Sequence, residues 1–131
     1  MTRKIDEGLI KIALIGFHNP ENLRRYEKFV EDAGYGVTKA ANMVQMLEIA
    51  RCREYDLYLM DANLGLEGSP NPNSCHTIFS LVRGRFYQGE AHFLAVSENS
   101  DAVRNARSRG VPAIKKEDKS FYKWLEEKIY R

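Results

Sequence analysis

The chain has 131 residues and a net charge of +2, with 44% hydrophobic and 29% charged residues. This length and composition indicate one globular domain, and the small net charge gives no indication of nucleic-acid binding. The first residues are charged, and no apolar run approaches the roughly 18–20 residues of a membrane span. The two cysteines, Cys52 and Cys75, stand apart from any metal-binding pattern. We therefore expect a cytoplasmic protein without a signal peptide or membrane contact.

The first half of the chain alternates short apolar runs with helical patterns. Residues 11–17 predict a buried strand. Asn19 and Pro20 then predict a helix start, because asparagine caps a helix and proline fits its first position. That helix ends at Gly34. Residues 35–40 predict a weaker strand at a sheet edge. A second helix, predicted to end near Glu54, carries on one face Met43, Met46, Leu47 and Ala50.

The same alternation continues after residue 54. Residues 57–60 predict a third strand that stops at Asp61, and residues 65–74 predict a loop rich in glycine and proline. A third helix follows, and residues 91–97 predict a fourth strand. The next helix is predicted to be capped by Ser100 or Asp101 and to end at Gly110. Residues 111–114 predict the fifth strand, and Ser120 is predicted to cap the last helix.

Five strands alternating with five helices predict an α/β fold. Such alternation requires right-handed crossovers and a five-stranded parallel sheet with helices on both faces, which is the flavodoxin-like (βα)5 arrangement. We interpret residues 1–10 as an N-terminal extension and residues 11–131 as the domain.

Polar residues follow several strands of the predicted sheet. Asp61 follows the third strand, Ser97 ends the fourth, and Lys115 and Lys116 follow the fifth. Because ligands bind at the carboxyl ends of parallel strands, we expect a carboxylate, a hydroxyl and an ammonium in one site. This set suits a phosphoryl group on the carboxylate, with the hydroxyl donating to one oxygen and the ammonium neutralising another.

From about Lys11 onward the chain resembles the receiver domain of two-component response regulators. The resemblance rests on Asp61 in the segment DLYLMDANLG, on Ser97 in LAVSEN, and on Lys116 after GVPAIK, with Lys115 as the alternative. It implies that Asp61 is a phosphoacceptor and that Ser97 and Lys116 contact the phosphoryl group. It also implies a non-enzymatic signalling domain in a phosphorelay, whose partner is a histidine kinase or phosphotransfer protein.

The acidic residues that hold Mg²⁺ in receivers are missing. Receivers carry two or three of them directly after the first strand, where this chain has Gly16, Phe17 and His18. Only Asp61 and the carbonyl of Asn63 remain as ligands for Mg²⁺, which prefers several carboxylate and water oxygens. Because Mg²⁺ neutralises the charge that builds up during phosphoryl transfer, we expect weak or absent Mg²⁺-dependent phosphorylation.

Two alternatives follow from the departures. Ile114 occupies the position at which receivers carry an aromatic switch residue, and the loop after Asp61 is enlarged. One alternative is therefore a phosphorylation-independent pseudo-receiver that binds other proteins. The fold also admits a flavodoxin-like enzyme that binds a nucleotide or flavin. Gly16 stands alone, however, without the Gly-x-Gly-x-x-Gly pattern of a phosphate-binding loop.

The resemblance also implies an output surface on the fourth helix, fifth strand and fifth helix. This surface commonly binds partners or a second copy, so a homodimer is one expectation. Direct nucleic-acid binding is not expected. In this sequence the interface residues are predicted to be Arg104, Arg107, Lys119, Tyr122 and Lys123.

Overall fold

The structure, a computed structural model, describes residues 10–66 and 69–130. Strands and helices alternate strictly along this part of the chain. Their bounds are β1 Lys11–Gly16, α1 Pro20–Asp32, β2 Tyr35–Ala40, α2 Met43–Cys52, β3 Leu57–Asp61, α3 Ser74–Tyr87, β4 His92–Ser97, α4 Ser100–Ser108, β5 Ala113–Lys115 and α5 Asp118–Lys128. None of the helices described has the length and apolarity to cross a membrane.

The strands form one parallel sheet in the order β2-β1-β3-β4-β5. The central strand β3 pairs with β1 on one side and with β4 on the other, and Asp61 lies opposite Val96. At the far edge, Ser97 of β4 pairs with Lys115 of β5. The predicted α/β fold is therefore confirmed, including the edge position of β2. The predicted extension, apart from Ile10, lies outside the described residues, as does Arg131 at the end of the predicted domain.

The apolar strands carry side chains on both faces, and each face is covered by helices. Helices α2, α3 and α4 pack on the face that includes Leu14, Met60 and Phe93. Helices α1 and α5 pack on the other face, against residues such as Ile15 and Leu59. This two-sided burial explains why the strands are continuous apolar runs rather than alternating ones.

The helix starts test the predicted caps. The Asn19 side chain accepts hydrogen bonds from the backbone of α1, as predicted. The prediction for α4 was wrong, because the cap is Asn99, which accepts from the Asp101 and Ala102 nitrogens at 2.7 and 3.2 Å. The prediction for Ser120 was also wrong. Helix α5 begins earlier, at Asp118, and the Ser120 hydroxyl donates a hydrogen bond to the Glu117 carboxylate at 3.0 Å instead of capping the helix.

The loop between β3 and α3 folds back against the end of β3. The Gly65 oxygen accepts from the Met43 nitrogen at 2.9 Å, and the Asn71 nitrogen donates to the Asn63 oxygen at 3.0 Å. A Cβ atom on Gly65 would lie 1.5 Å from the Ser69 oxygen, so only glycine allows this close approach of two backbone segments. The loop therefore forms one wall of the space above Asp61.

Candidate functional site

Asp61 ends β3 with both of its carboxylate oxygens hydrogen-bonded. Oδ1 accepts from the Asn63 backbone nitrogen at 2.8 Å, and Oδ2 accepts from Lys116 Nζ at 3.0 Å. The Lys116 side chain is only 8% exposed, whereas that of Asp61 is 27% exposed. The carboxylate is thus the more accessible partner of the ion pair.

The register of β5 decides which of the two adjacent lysines meets Asp61. Lys115 pairs with Ser97 within the sheet, and the Lys116 nitrogen then donates to the Ser97 oxygen at 2.8 Å. Lys116 reaches Asp61, and its ammonium lies 5.7 Å from the centre of the Phe17 ring. Lys115 Nζ instead donates to the Glu98 carbonyl at 2.6 Å. The geometry therefore favours Lys116 over Lys115 as the site lysine.

Ser97 lies in the same cleft, and its side chain is turned toward the start of α4. Its hydroxyl oxygen accepts from the Asn99 backbone nitrogen at 3.1 Å, and the residue is 5% exposed. Among the described residues, no hydrogen bond joins the Ser97 hydroxyl to Asp61 or to the Lys116 side chain. The hydroxyl proton is therefore not committed to either of them.

These residues border a cleft of about 330 Å³ at the carboxyl ends of the strands. This is within the lower range of small-ligand sites. Most of the uncharged amides of the cleft were not predicted from the sequence, because the prediction considered the charged residues and Ser97. The available signal was an asparagine two or three residues after each of three strands, at Asn19, Asn63 and Asn99. The lining residues are His18, Asn19, Asn22, Asp61, Asn63, Leu64, Gly65, Pro70, Ser97, Glu98, Asn99 and Lys116.

Two of the three positions at the end of β1, Gly16 and Phe17, are closely packed, so an acid there would require neighbouring side chains to shift. A Cβ atom on Gly16 would lie 2.7 Å from the Met46 sulfur and 3.0 Å from a Leu64 methyl carbon. Phe17 is fully buried, and its ring stacks on Tyr26 with 4.7 Å between centres. Of the three replacing residues, only His18 is exposed toward the cleft.

This donor set does not fit Mg²⁺. Among the described residues of β3 and of the loop that follows it, Asp61 is the only carboxylate, and it already pairs with Lys116. The Asn63 backbone oxygen accepts from the Asn71 nitrogen. Within residues 10–66 and 69–130, no three His, Cys, Asp or Glu side chains are grouped to hold a metal. Since Mg²⁺ requires near-octahedral oxygen coordination, the chemistry of the cleft has to be derived from the side chains alone.

Tyr26 is an unusual neighbour of this region. Its hydroxyl is buried and, among the described residues, has no hydrogen-bond partner. Burial raises the pKa of Tyr26 to about 12, because a phenolate would be poorly solvated there. The group therefore stays neutral at physiological pH and contributes packing, not charge, next to Phe17.

The predicted interface residues do not all lie together. Arg104 and Arg107 of α4 and Lys123 of α5 border two adjoining clefts on either side of β5. Lys119 is exposed on α5. Tyr122 instead packs against Phe29 of α1, with 5.1 Å between ring centres. The surface beside β5 is therefore basic, and Tyr122, which is 50% exposed, contacts the neighbouring helix α1.

No protein-family model matches this sequence, and no curated protein sequence matches it either. Solved structures do match. A CheY-like response regulator receiver domain from Methanospirillum hungatei aligns with a TM-score of 0.71 at 18% identity, over 92% of this chain and 94% of its own. A two-component response regulator from Clostridium difficile has a TM-score of 0.71 at 16% identity, over 92% and 97% respectively.

A third match is a response regulator from Burkholderia pseudomallei, solved with a phosphorylated aspartic acid, a calcium ion and citrate. It has a TM-score of 0.65 at 18% identity, over 86% of this chain and 64% of its own. At such identities the similarity establishes the fold, and the roles of individual residues have to be argued from the site.

Proposed function

Because the chain has the fold of response regulator receiver domains, we propose that it is a receiver domain in two-component signalling. The observation that carries the proposal is the Asp61–Lys116 pair, 3.0 Å apart in an open cleft at the carboxyl end of β3. The phosphorylated aspartic acid of the Burkholderia neighbour supports the same role for a carboxylate on this fold. In this proposal the chain accepts a phosphoryl group and does not turn over a substrate.

The proposed step is transfer of a phosphoryl group to Asp61. A carboxylate oxygen forms the bond to phosphorus while the bond from phosphorus to the donor breaks, and the donor atom keeps the electron pair. Lys116 then neutralises a phosphoryl oxygen, and Ser97 donates its free hydroxyl proton to another. His18 and the asparagines that line the cleft lie near the negative charge that the phosphoryl group adds.

The first experiment measures intact mass after incubation with acetyl phosphate, for the wild type and for Asp61→Asn. We expect a gain of one phosphoryl group in the wild type alone. Because the residues do not provide a carboxylate set for Mg²⁺, the rate should be slow and should change little between Mg²⁺ and EDTA. A mass gain in both proteins would contradict the role of Asp61.

A second candidate function is a pseudo-receiver that binds partners without phosphorylation. It is favoured by the packing of Gly16 against Met46 and by the two satisfied oxygens of Asp61. No mass gain and no response to beryllofluoride, which mimics an aspartyl phosphate, would select this function. In that case Asp61→Asn should leave partner binding unchanged, and a loss of binding would contradict it.

A further inference from the structure

Two adjoining clefts meet along β5 and share Arg107 and Lys115. The cleft toward α4 has a volume of about 290 Å³ and is also lined by Ser100, Val103 and Arg104. The cleft toward α5 has a volume of about 340 Å³. Its further lining residues are Ile114, Ser120, Lys123, Trp124 and Glu127. We call the combined surface the basic groove, after its four cations Arg104, Arg107, Lys115 and Lys123.

The cations at the centre of the basic groove are held by oxygens without negative charge. Arg107 Nε donates to the Ala113 backbone oxygen at 2.8 Å. Lys115 Nζ donates to the Glu98 backbone oxygen at 2.6 Å and to the Ser100 hydroxyl at 3.2 Å. These hydrogen bonds hold the Arg107 and Lys115 side chains in place. Their partners are neutral oxygens, so the positive charges are not neutralised by these contacts. Preorganised cations of this kind bind an anion with little loss of side-chain entropy.

The lining of the basic groove contains four cations and one carboxylate. In the described part of the chain, Arg104 forms an ion pair with Asp101, and no ion pair involves Arg107, Lys115 or Lys123. Glu127 is the one carboxylate in the groove lining. The surface therefore keeps an excess of positive charge even though the whole chain has a net charge of only +2.

This charge bears on what the groove binds. A symmetric dimer brings the same patch of both copies together, so the cations of one groove would face those of the other. Placing like charges together in an interface is unfavourable. Self-association through this surface stays a prediction, and the charge distribution favours a different partner.

We propose that the basic groove binds an acidic segment of another protein, with carboxylates on Arg107, Lys115 and Lys123 and an apolar side chain over Ile114 and Trp124. The apolar floor and Glu127 favour a peptide over the continuous phosphate chain of a nucleic acid. The inference deepens the proposed function, since it gives the chemistry of the partner on the output surface and rests on that function for its signalling role.

The test uses a fluorescently labelled 12-residue peptide of alternating aspartate and leucine, titrated with the full chain and followed by anisotropy without any phosphodonor. We expect saturable binding that weakens with salt, and at least about tenfold weaker binding by the double variant Arg107→Glu/Lys123→Glu. The matched control is Arg24→Glu/Arg83→Glu, which makes the same charge change at exposed positions of α1 and α3. It should bind within about twofold of the wild type.

The inference is overturned if the wild type does not bind the peptide, or if both double variants bind it equally. Tighter binding of a 12-nucleotide oligothymidine than of the peptide would replace the acidic protein with nucleic acid. If sedimentation shows a dimer, and the double variant Arg107→Glu/Lys123→Glu dissociates it, the partner on the basic groove is a second copy of this chain and not an acidic protein. Because no phosphodonor is present, these outcomes are separate from the mass experiment on Asp61.

Discussion

The ion pair between Asp61 and Lys116 predicts a measurable coupling energy. At 3.0 Å between Lys116 Nζ and Asp61 Oδ2, the attraction is about 5.5 kcal/mol for an effective dielectric constant of ~20. Desolvation of the two groups offsets much of this value. We therefore expect a net coupling of about 1–2 kcal/mol, which is larger than that of a typical surface pair.

The perturbation is a double-mutant cycle with Asp61→Asn and Lys116→Met. Asp61→Asn should lower the free energy of unfolding by about 2 kcal/mol, because the 8% exposed Lys116 side chain loses its anion. Lys116→Met should lower the free energy of unfolding by less. The Asp61 carboxylate is more exposed, so it can be hydrated, and it still accepts the hydrogen bond from the Asn63 backbone nitrogen. The double variant should be more stable than the sum of the two single changes implies.

Urea denaturation of the four proteins gives the coupling energy. The control cycle removes the charges of Lys39 and Glu27, which lie 3.2 Å apart with side chains 47% and 22% exposed. Its coupling should stay below about 0.5 kcal/mol and disappear in high salt, whereas the Asp61–Lys116 coupling should persist. Additive effects of Asp61→Asn and Lys116→Met, within about 0.5 kcal/mol, would refute the reasoning.

Three further predictions concern packing and pH. Tyr26→Phe should raise the free energy of unfolding by about 1 kcal/mol in urea, because it removes a buried hydroxyl that has no partner among the described residues; a loss of stability would show that the hydroxyl is bonded. Burial raises the pKa of Tyr26 and of Tyr35 to about 12, above the value near 10 of unfolded tyrosine. The folded state thus holds more protons between those values, and denaturation midpoints should fall as pH rises from 10 to 12, less so in Tyr26→Phe. Gly65→Ala should destabilise by about 2 kcal/mol because its Cβ would meet the Ser69 oxygen, whereas Gly84→Ala in α3, with nothing within 4 Å, should stabilise by about 0.5–1 kcal/mol. Equal shifts in melting temperature for the two glycine variants would contradict the described loop.

The fold was predictable because its signals are local. Runs such as residues 11–17 are too short and too apolar for an exposed helix, and Asn19 followed by Pro20 specifies a helix start within two residues. The start of α4 was harder. Asn99, Ser100 and Asp101 are all good caps in sequence, and the choice depends on which side chain meets the helix nitrogens.

The site was predictable only as a set of candidates. The sequence predicted Asp61 and two adjacent lysines at the carboxyl ends of the strands. It did not show which lysine side chain points toward Asp61, because that depends on the register of β5. Pairing of Ser97 with Lys115 directs Lys116 toward Asp61 and leaves Lys115 with the Glu98 oxygen. The close packing of Gly16 could not be predicted from the sequence either, because it depends on Met46, which is thirty residues away in the chain.

The packing around Gly16 has a consequence for the redesign of this domain. An aspartate at position 16 would collide with Met46 and Leu64, and one at position 17 would replace a ring that is buried against Tyr26. No single substitution at these positions therefore restores an acidic cluster without disturbing the core on one face of the sheet. Adding acids at both positions would call for matched changes in β1, in α2 and in the loop after β3. A designed acidic pair at positions 16 and 17 therefore needs repacking of the surrounding side chains, whereas the exposed position of His18 does not carry this constraint.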